Sequence, residues 1–177
     1  MSLDEVTAKS EVIVLGRVEA AESGWSDDGR IILTRATVSV ERALKGGARA
    51  QVIVETPGGR IGEVAMIASG APVFHTGDRV VLFLELARSQ GAGGRGAAGG
   101  AARRLAVVGW SLGKMDVARD PRTGRDLVRD RTSGASYLDR QGKPVTPERA
   151  GKGPAELQQF LEQVQGLVAA GPDEKGP

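Results

Sequence analysis

In RIILTRATVSVERALKG, residues 30–46, apolar and polar side chains alternate. Ala36, Val38, Val40 and Leu44 are apolar, while Arg35, Thr37, Ser39 and Glu41 between them are polar or small. A period of two is the signature of a strand with one face on a core and the other toward solvent. The pattern predicts one long strand with Leu44 on the same inner face as Ala36. A strand of this length bends through two sheets or around a small barrel, with a neighbour on each side.

The flanking residues supply those neighbours. Upstream, residues 11–22 (EVIVLGRVEAAE) place Val12, Val14, Val18 and Ala20 on one face and Ile13 and Leu15 on the other, with Gly16 marking a bend or bulge. Residues 23–29 are turn-forming, and the Asp28-Gly29 step favours a hairpin into the long strand. Downstream, residues 50–56 alternate through Val52 and Val54, so the three strands form a meander, which Pro57-Gly58-Gly59 interrupts. A short irregular strand is expected around residues 64–67, and Thr76-Gly77-Asp78 makes a tight turn. Residues 79–86 (RVVLFLEL) then form the most apolar run, as expected of the innermost strand of a closed or two-sided sheet.

Residues 90–102 (QGAGGRGAAGGAA) are of low complexity and predict a flexible surface loop. Strands are expected over 103–110 and 114–118, a turn at 120–124, and a return strand at 126–131, giving an exposed charged ribbon over 114–131. Ser2 and Glu5 form a capping box for a short helix reaching about Lys9, placed to plug one end of the barrel. Residues 133–153 read as loop because Pro144 and Pro147 interrupt regular structure. Residues 154–168 (PAELQQFLEQVQGLV) predict an amphipathic helix opened by Pro154, with Leu157, Phe160, Leu161, Val164 and Val168 on one face. The expected organisation is an all-β, OB-like barrel of five or six strands over 1–153, an outer helix over 154–170 and a mobile tail over 171–177.

Composition narrows the function. The chain is 40% hydrophobic but 3% aromatic, so its core is built from aliphatic side chains. Its net charge is +2 with both signs interspersed, which is no nucleic-acid footprint. The absence of cysteine removes disulfides, thiolate metal sites and cysteine nucleophiles. A start that runs straight into structure fits a cytoplasmic chain, or a periplasmic or secreted one whose leader has been removed.

Candidate chemistry is sparse. His75 is the single histidine and would have to carry any triad or histidine metal cage alone. Asp27-Asp28 lacks the alternating acidic ligands and closing glutamate of a calcium loop. The glycines of 91–100 lack the Lys-Ser/Thr of a phosphate loop. The arginines at 119, 122, 125, 129 and 131 are neutralised by neighbouring aspartates, and Trp25, Trp110, Phe74, Phe83 and Tyr137 form no stacking ladder. No catalytic residue, metal site or cofactor is expected. The segment Pro57-Gly58-Gly59-Arg60-Ile61-Gly62 remains, because glycines at such spacing fix a loop shape on a rigid sheet. Pro57, Gly58, Gly59, Arg60 and Gly62 are the candidate protein-contact residues.

The order of these elements resembles the netrin-like domain, the OB-type barrel of the tissue inhibitors of metalloproteinases. The matching residues are 10–18 (SEVIVLGRV), 38–46 (VSVERALKG) and 77–84 (GDRVVLFL), with Thr56-Pro57 after the third strand. The layout is also similar to a group of uncharacterised exported bacterial proteins. The resemblance covers about residues 3–109. It implies a non-enzymatic protein-binding module of the envelope or secreted space, like a protease inhibitor, with a metalloprotease as the implied class of partner. The inhibitors chelate the protease zinc through an amino-terminal cysteine; this chain has none, so that mechanism does not transfer. The alternative expectation is an OB-type binder of single-stranded nucleic acid or oligosaccharide.

Overall fold

The alternation in residues 30–46 becomes a fourteen-residue strand in the computed structural model, which describes residues 1–47, 49–87, 104–130, 137–138, 144–145 and 154–171. In chain order the elements are α1 (Leu3–Lys9), β1 (Val12–Trp25), β2 (Ile32–Lys45), β3 (Gln51–Pro57), β4 (Gly59–Ile61), β5 (Val64–Met66), β6 (Arg79–Leu86), β7 (Arg104–Val107), β8 (Lys114–Arg119), β9 (Asp126–Asp130), β10 (Tyr137–Leu138), β11 (Pro144–Val145), β12 (Ala155–Glu156) and α2 (Leu157–Ala170). β1, β2 and β3 form the expected antiparallel meander. β6 pairs antiparallel with β1 and β7, and β7 runs parallel to β3, so β1-β2-β3-β7-β6 closes into a ring. The result is an OB-like all-β barrel with a helix at each end of the sequence.

β6 holds the molecule together because both of its faces are buried. Val80, Leu82 and Leu84 point into the barrel with Val14, Val18, Ala36, Val38, Val54 and Leu105. Val81 and Phe83 point outward, where Ile13 and Leu15 of β1 join them beneath Leu157, Phe160, Leu161 and Val164 of α2. Phe83 meets Phe160 edge-on at 6.4 Å. α1 belongs to this outer layer: its buried Val6 packs in the outer cluster, so it does not plug the barrel. Its capping box is present as expected.

Leu44 departs from the predicted face. The β1–β2 register shifts between Ile13 and Val14 and again between Leu15 and Gly16, leaving Leu44 and Glu41 as extra residues on β2. Ala43 takes the inner position opposite Val14, and Leu44 packs in the outer cluster. Gly16 does mark a bulge. A side chain there would collide with the Ser39 carbonyl oxygen, so the β2 backbone approaches as closely as it does only because the residue is glycine.

Other corrections share one cause, tertiary pairing that local signals do not encode. Ala155 and Glu156 are extended and pair with Val128 and Leu127 of β9; the helix begins at Leu157, so Pro154 does not open its first turn. The strand expected over 103–110 ends at Val107, where Gly109 and Trp110 turn left-handed into a 3-10 turn over Trp110–Gly113. β8 and β9 form the predicted ribbon, yet Lys114 and Val128 are buried, because β8 extends the sheet from β6 and the outer cluster reaches Val128. In the expected loop over 133–153, Pro144 pairs with Leu138 in the β10–β11 bridge; the rest of that loop lies outside the described residues. So do the Gly/Ala segment at 90–102 and residues 172–177 of the tail.

Candidate functional site

The barrel is least complete between β3 and β7. These strands share two register pairs, Ile53 with Arg104 and Val54 with Leu105. β3 continues to Pro57 and β7 to Val107, but the Val108 amide donates to the Phe83 carbonyl and leads β7 away. Along this seam runs a groove of about 430 Å³. Its walls are Leu33, Glu55 and Pro57 on one side and Glu85 and Ala106 on the other; Thr56, Leu86 and Val107 lie between, with Trp110 among the lining residues.

Trp110 stands out on two counts. It is 54% exposed. It is also the one non-glycine residue with positive φ among those described, at 62°, a conformation that costs a bulky side chain on the order of 1 kcal/mol or more. The groove's two acidic lining residues differ. Glu55 accepts from the Arg35 guanidinium at 3.0 Å and lies 3.9 Å from Arg104, which in turn donates to Asp27 at 3.1 Å. Among the described residues, the Glu85 carboxylate has no hydrogen-bond or ion-pair partner and no basic side chain lines the groove.

The predicted contact segment borders this groove and forms half of a small hairpin in place of an open loop. Pro57 lines the groove and leads into β4, which pairs with β5. Gly58 is buried and its amide donates to the Ile32 carbonyl at 2.8 Å, while its own carbonyl accepts from the Thr34 hydroxyl at 2.7 Å. At Gly59, with φ of 141°, a side chain would strike the Ser23 and Thr34 hydroxyls, which bond each other at 3.0 Å. Arg60 is exposed and its amide donates to Ser23 Oγ at 3.2 Å; Gly62 lies in the exposed turn. The segment is therefore pinned to the ends of β1 and β2. The apolar residues it displays come later: Val64 is exposed, and Ile67 is 92% exposed.

A second groove, of about 610 Å³, is charged. At its centre Arg79 reaches the carboxylates of Glu41 at 2.8 Å and Asp126 at 2.7 Å. The β2 bulge leaves Glu41 as the extra residue that makes this contact. Hydrogen bonding to Glu41 first, and to Asp126, holds the guanidinium above its ordinary pKa against the opposing effect of burial. Lys114 is 2% exposed, paired with Asp116 and 5.5 Å from the centre of the Phe74 ring. His75 is exposed, with Nδ1 3.4 Å from Asp78, and no nucleophile is placed against it. Asp28 closes the β1–β2 turn: its carboxyl lies below the usual range, first through the Ser26 hydroxyl and then through the Arg30 amide.

No group of side chains able to hold a metal ion occurs among the described residues. Nor is any helix among them long and apolar enough to cross a membrane. Sequence reasoning passed over Trp110, Glu85 and Leu86. The available signal was Gly109-Trp110 directly after an apolar strand, a large aromatic at a turn. No protein-family model and no curated protein matches this chain.

Proposed function

We propose that this protein is a non-enzymatic binding module for another protein, of the envelope or secreted space, whose contact surface is the β4–β5 hairpin with residues 57–62 and the adjoining seam groove. The observation that carries the reading is the exposure of large apolar side chains: Val64 and Leu86 on paired strands, Trp110 in a 3-10 turn, and Ile67 directly after β5. Rigid presentation of apolar and aromatic side chains lowers the ordering cost of association and suits a protein interface. A zinc protease remains the class of partner that the netrin-like resemblance suggests, without the cysteine chelation.

The alternative, an OB-type nucleic-acid binder, is less well supported. Among the described residues, Arg35 and Arg104 beside Glu55 of the groove are engaged by Glu55 and Asp27, and strand binders need free cations along the phosphate track. The test is capture from envelope and cytosolic extracts on the immobilised chain, repeated with Ile67→Asp and Arg60→Glu. A protein retained at stoichiometry by the native chain and lost by either variant supports the proposal. Salt-labile nucleic acid in the eluate, or retention indifferent to both variants, overturns it.

A further inference from the structure

The groove under Trp110 deepens that reading and rests on it: its chemistry specifies a class of ligand. Continued in parallel, the β3–β7 ladder would match Glu55, Thr56 and Pro57 with Ala106, Val107 and Val108, and none of these pairs forms. The β3 edge there has no strand beside it among the described residues, while its other edge is fully paired to β2 through Pro57. Pro57 has no N–H and Thr56 faces β2, so an extended chain docks on this short edge through its own amides, donated to the outward carbonyls of Glu55 and Pro57. Specificity then comes from side-chain pockets and charge.

The lining sets both. Leu33, Pro57, Leu86, Ala106 and Val107 are apolar, so alternate side chains of the incoming strand are apolar. Among the described residues Glu85 has no partner, and the other lining acid, Glu55, is already engaged by Arg35. A basic residue on the ligand satisfies Glu85, and the exposed face of Trp110 offers a cation or a proline ring a stacking surface. An acidic ligand meets uncompensated repulsion. A nucleic-acid strand meets the same repulsion from Glu85.

We propose that the seam groove between β3 and β7 binds an extended apolar peptide segment carrying a lysine or arginine, paired with Glu85 and stacked on Trp110. The probes are three synthetic, fluorescein-labelled ten-residue peptides of alternating valine and threonine: one with a central Lys, one with Glu in its place, and the Lys peptide N-methylated at alternate backbone amides. Binding to the full chain is followed by fluorescence polarisation. The Lys peptide binds at least about tenfold more tightly than the Glu peptide, a gap of about 1.4 kcal/mol. N-methylation abolishes binding. Glu85→Gln, which changes one atom on an already folded surface, removes the Lys/Glu difference, and Trp110→Ala weakens the Lys peptide about tenfold or more.

Equal binding of the Lys and Glu peptides, insensitivity to Glu85→Gln, or no binding up to millimolar protein overturns the inference. If extract capture still shows a protein lost on Ile67→Asp, the binding-module reading survives and the groove assignment falls alone. If neither assay shows binding, both fall.

Discussion

Two grooves on one barrel, beside Arg79 and beneath Trp110, measure about 610 and 430 Å³ and differ in what their side chains are left to do. In the first, Arg79 is held by Glu41 and Asp126, and Lys114 by Asp116. These contacts join β6 to β2 and β9, and the outer cluster beside them is covered by α2. In the second, a strained aromatic, an acid with no partner among the described residues and several apolar side chains line the groove. Charges that satisfy one another stabilise the fold and have little left for a ligand. Groups left unsatisfied at a cost to stability are the ones available for binding.

The comparison breaks first if the Arg79 side proves dispensable for folding. Phe160→Ala removes a ring nine-tenths buried against Phe83 and is expected to destabilise the protein by about 3–5 kcal/mol, read as a lower urea midpoint at unchanged slope. Arg79→Met strips the shared partner from Glu41 and Asp126, leaving two carboxylates partly buried. A loss of about 1–2 kcal/mol in the same titration is expected, with affinity for the Lys peptide unchanged. Affinity that falls with Arg79→Met would mean the two grooves are one system.

The opposite variant sharpens the contrast. Trp110→Gly places a residue without Cβ at φ of 62° and is expected to shift stability by less than about 1 kcal/mol in either direction while weakening the Lys peptide about tenfold or more. The smallest effect lies at the tip of the β8–β9 ribbon. The Asp120 carboxyl is held below its ordinary value by the Arg122 amide first and the Thr123 hydroxyl second. A depressed folded pKa contributes stability above the ordinary value that disappears as pH falls through the lower folded value. Asp120→Asn should therefore melt slightly below the native chain at pH 7, and the gap should shrink as pH falls below the ordinary carboxyl range, measured by thermal unfolding across an acid series.

Much of the fold was legible because its signals are local. Alternation located β1, β2 and β3; the double-sided apolar run located β6; the Ser2–Glu5 box located α1; and the three-and-four spacing of Leu157, Phe160, Leu161 and Val164 identified the buried face of α2. The candidate site was half legible. Glycine spacing pointed to residues 57–62, which are rigidly held, and Pro57 does line the groove. Trp110 and Glu85 were not legible, because neither carries a local mark of its surroundings. A tryptophan after glycine announces a turn but not its handedness, and a glutamate in an apolar strand reads as a solvated residue until the cations around it have been counted.

The sequence by itself determined which segments are strands or helices and which faces are apolar, since burial preference repeats with the period of the backbone. Tertiary structure alone decided where the ring closes, that β3 and β7 run parallel for two pairs and then part, and that bulges turn Leu44 outward and leave Glu41 as the extra residue that meets Arg79. Those outcomes depend on register between strands brought together from separate parts of the chain. A shift of one residue in such pairing moves a side chain to the other face while leaving its local pattern unchanged.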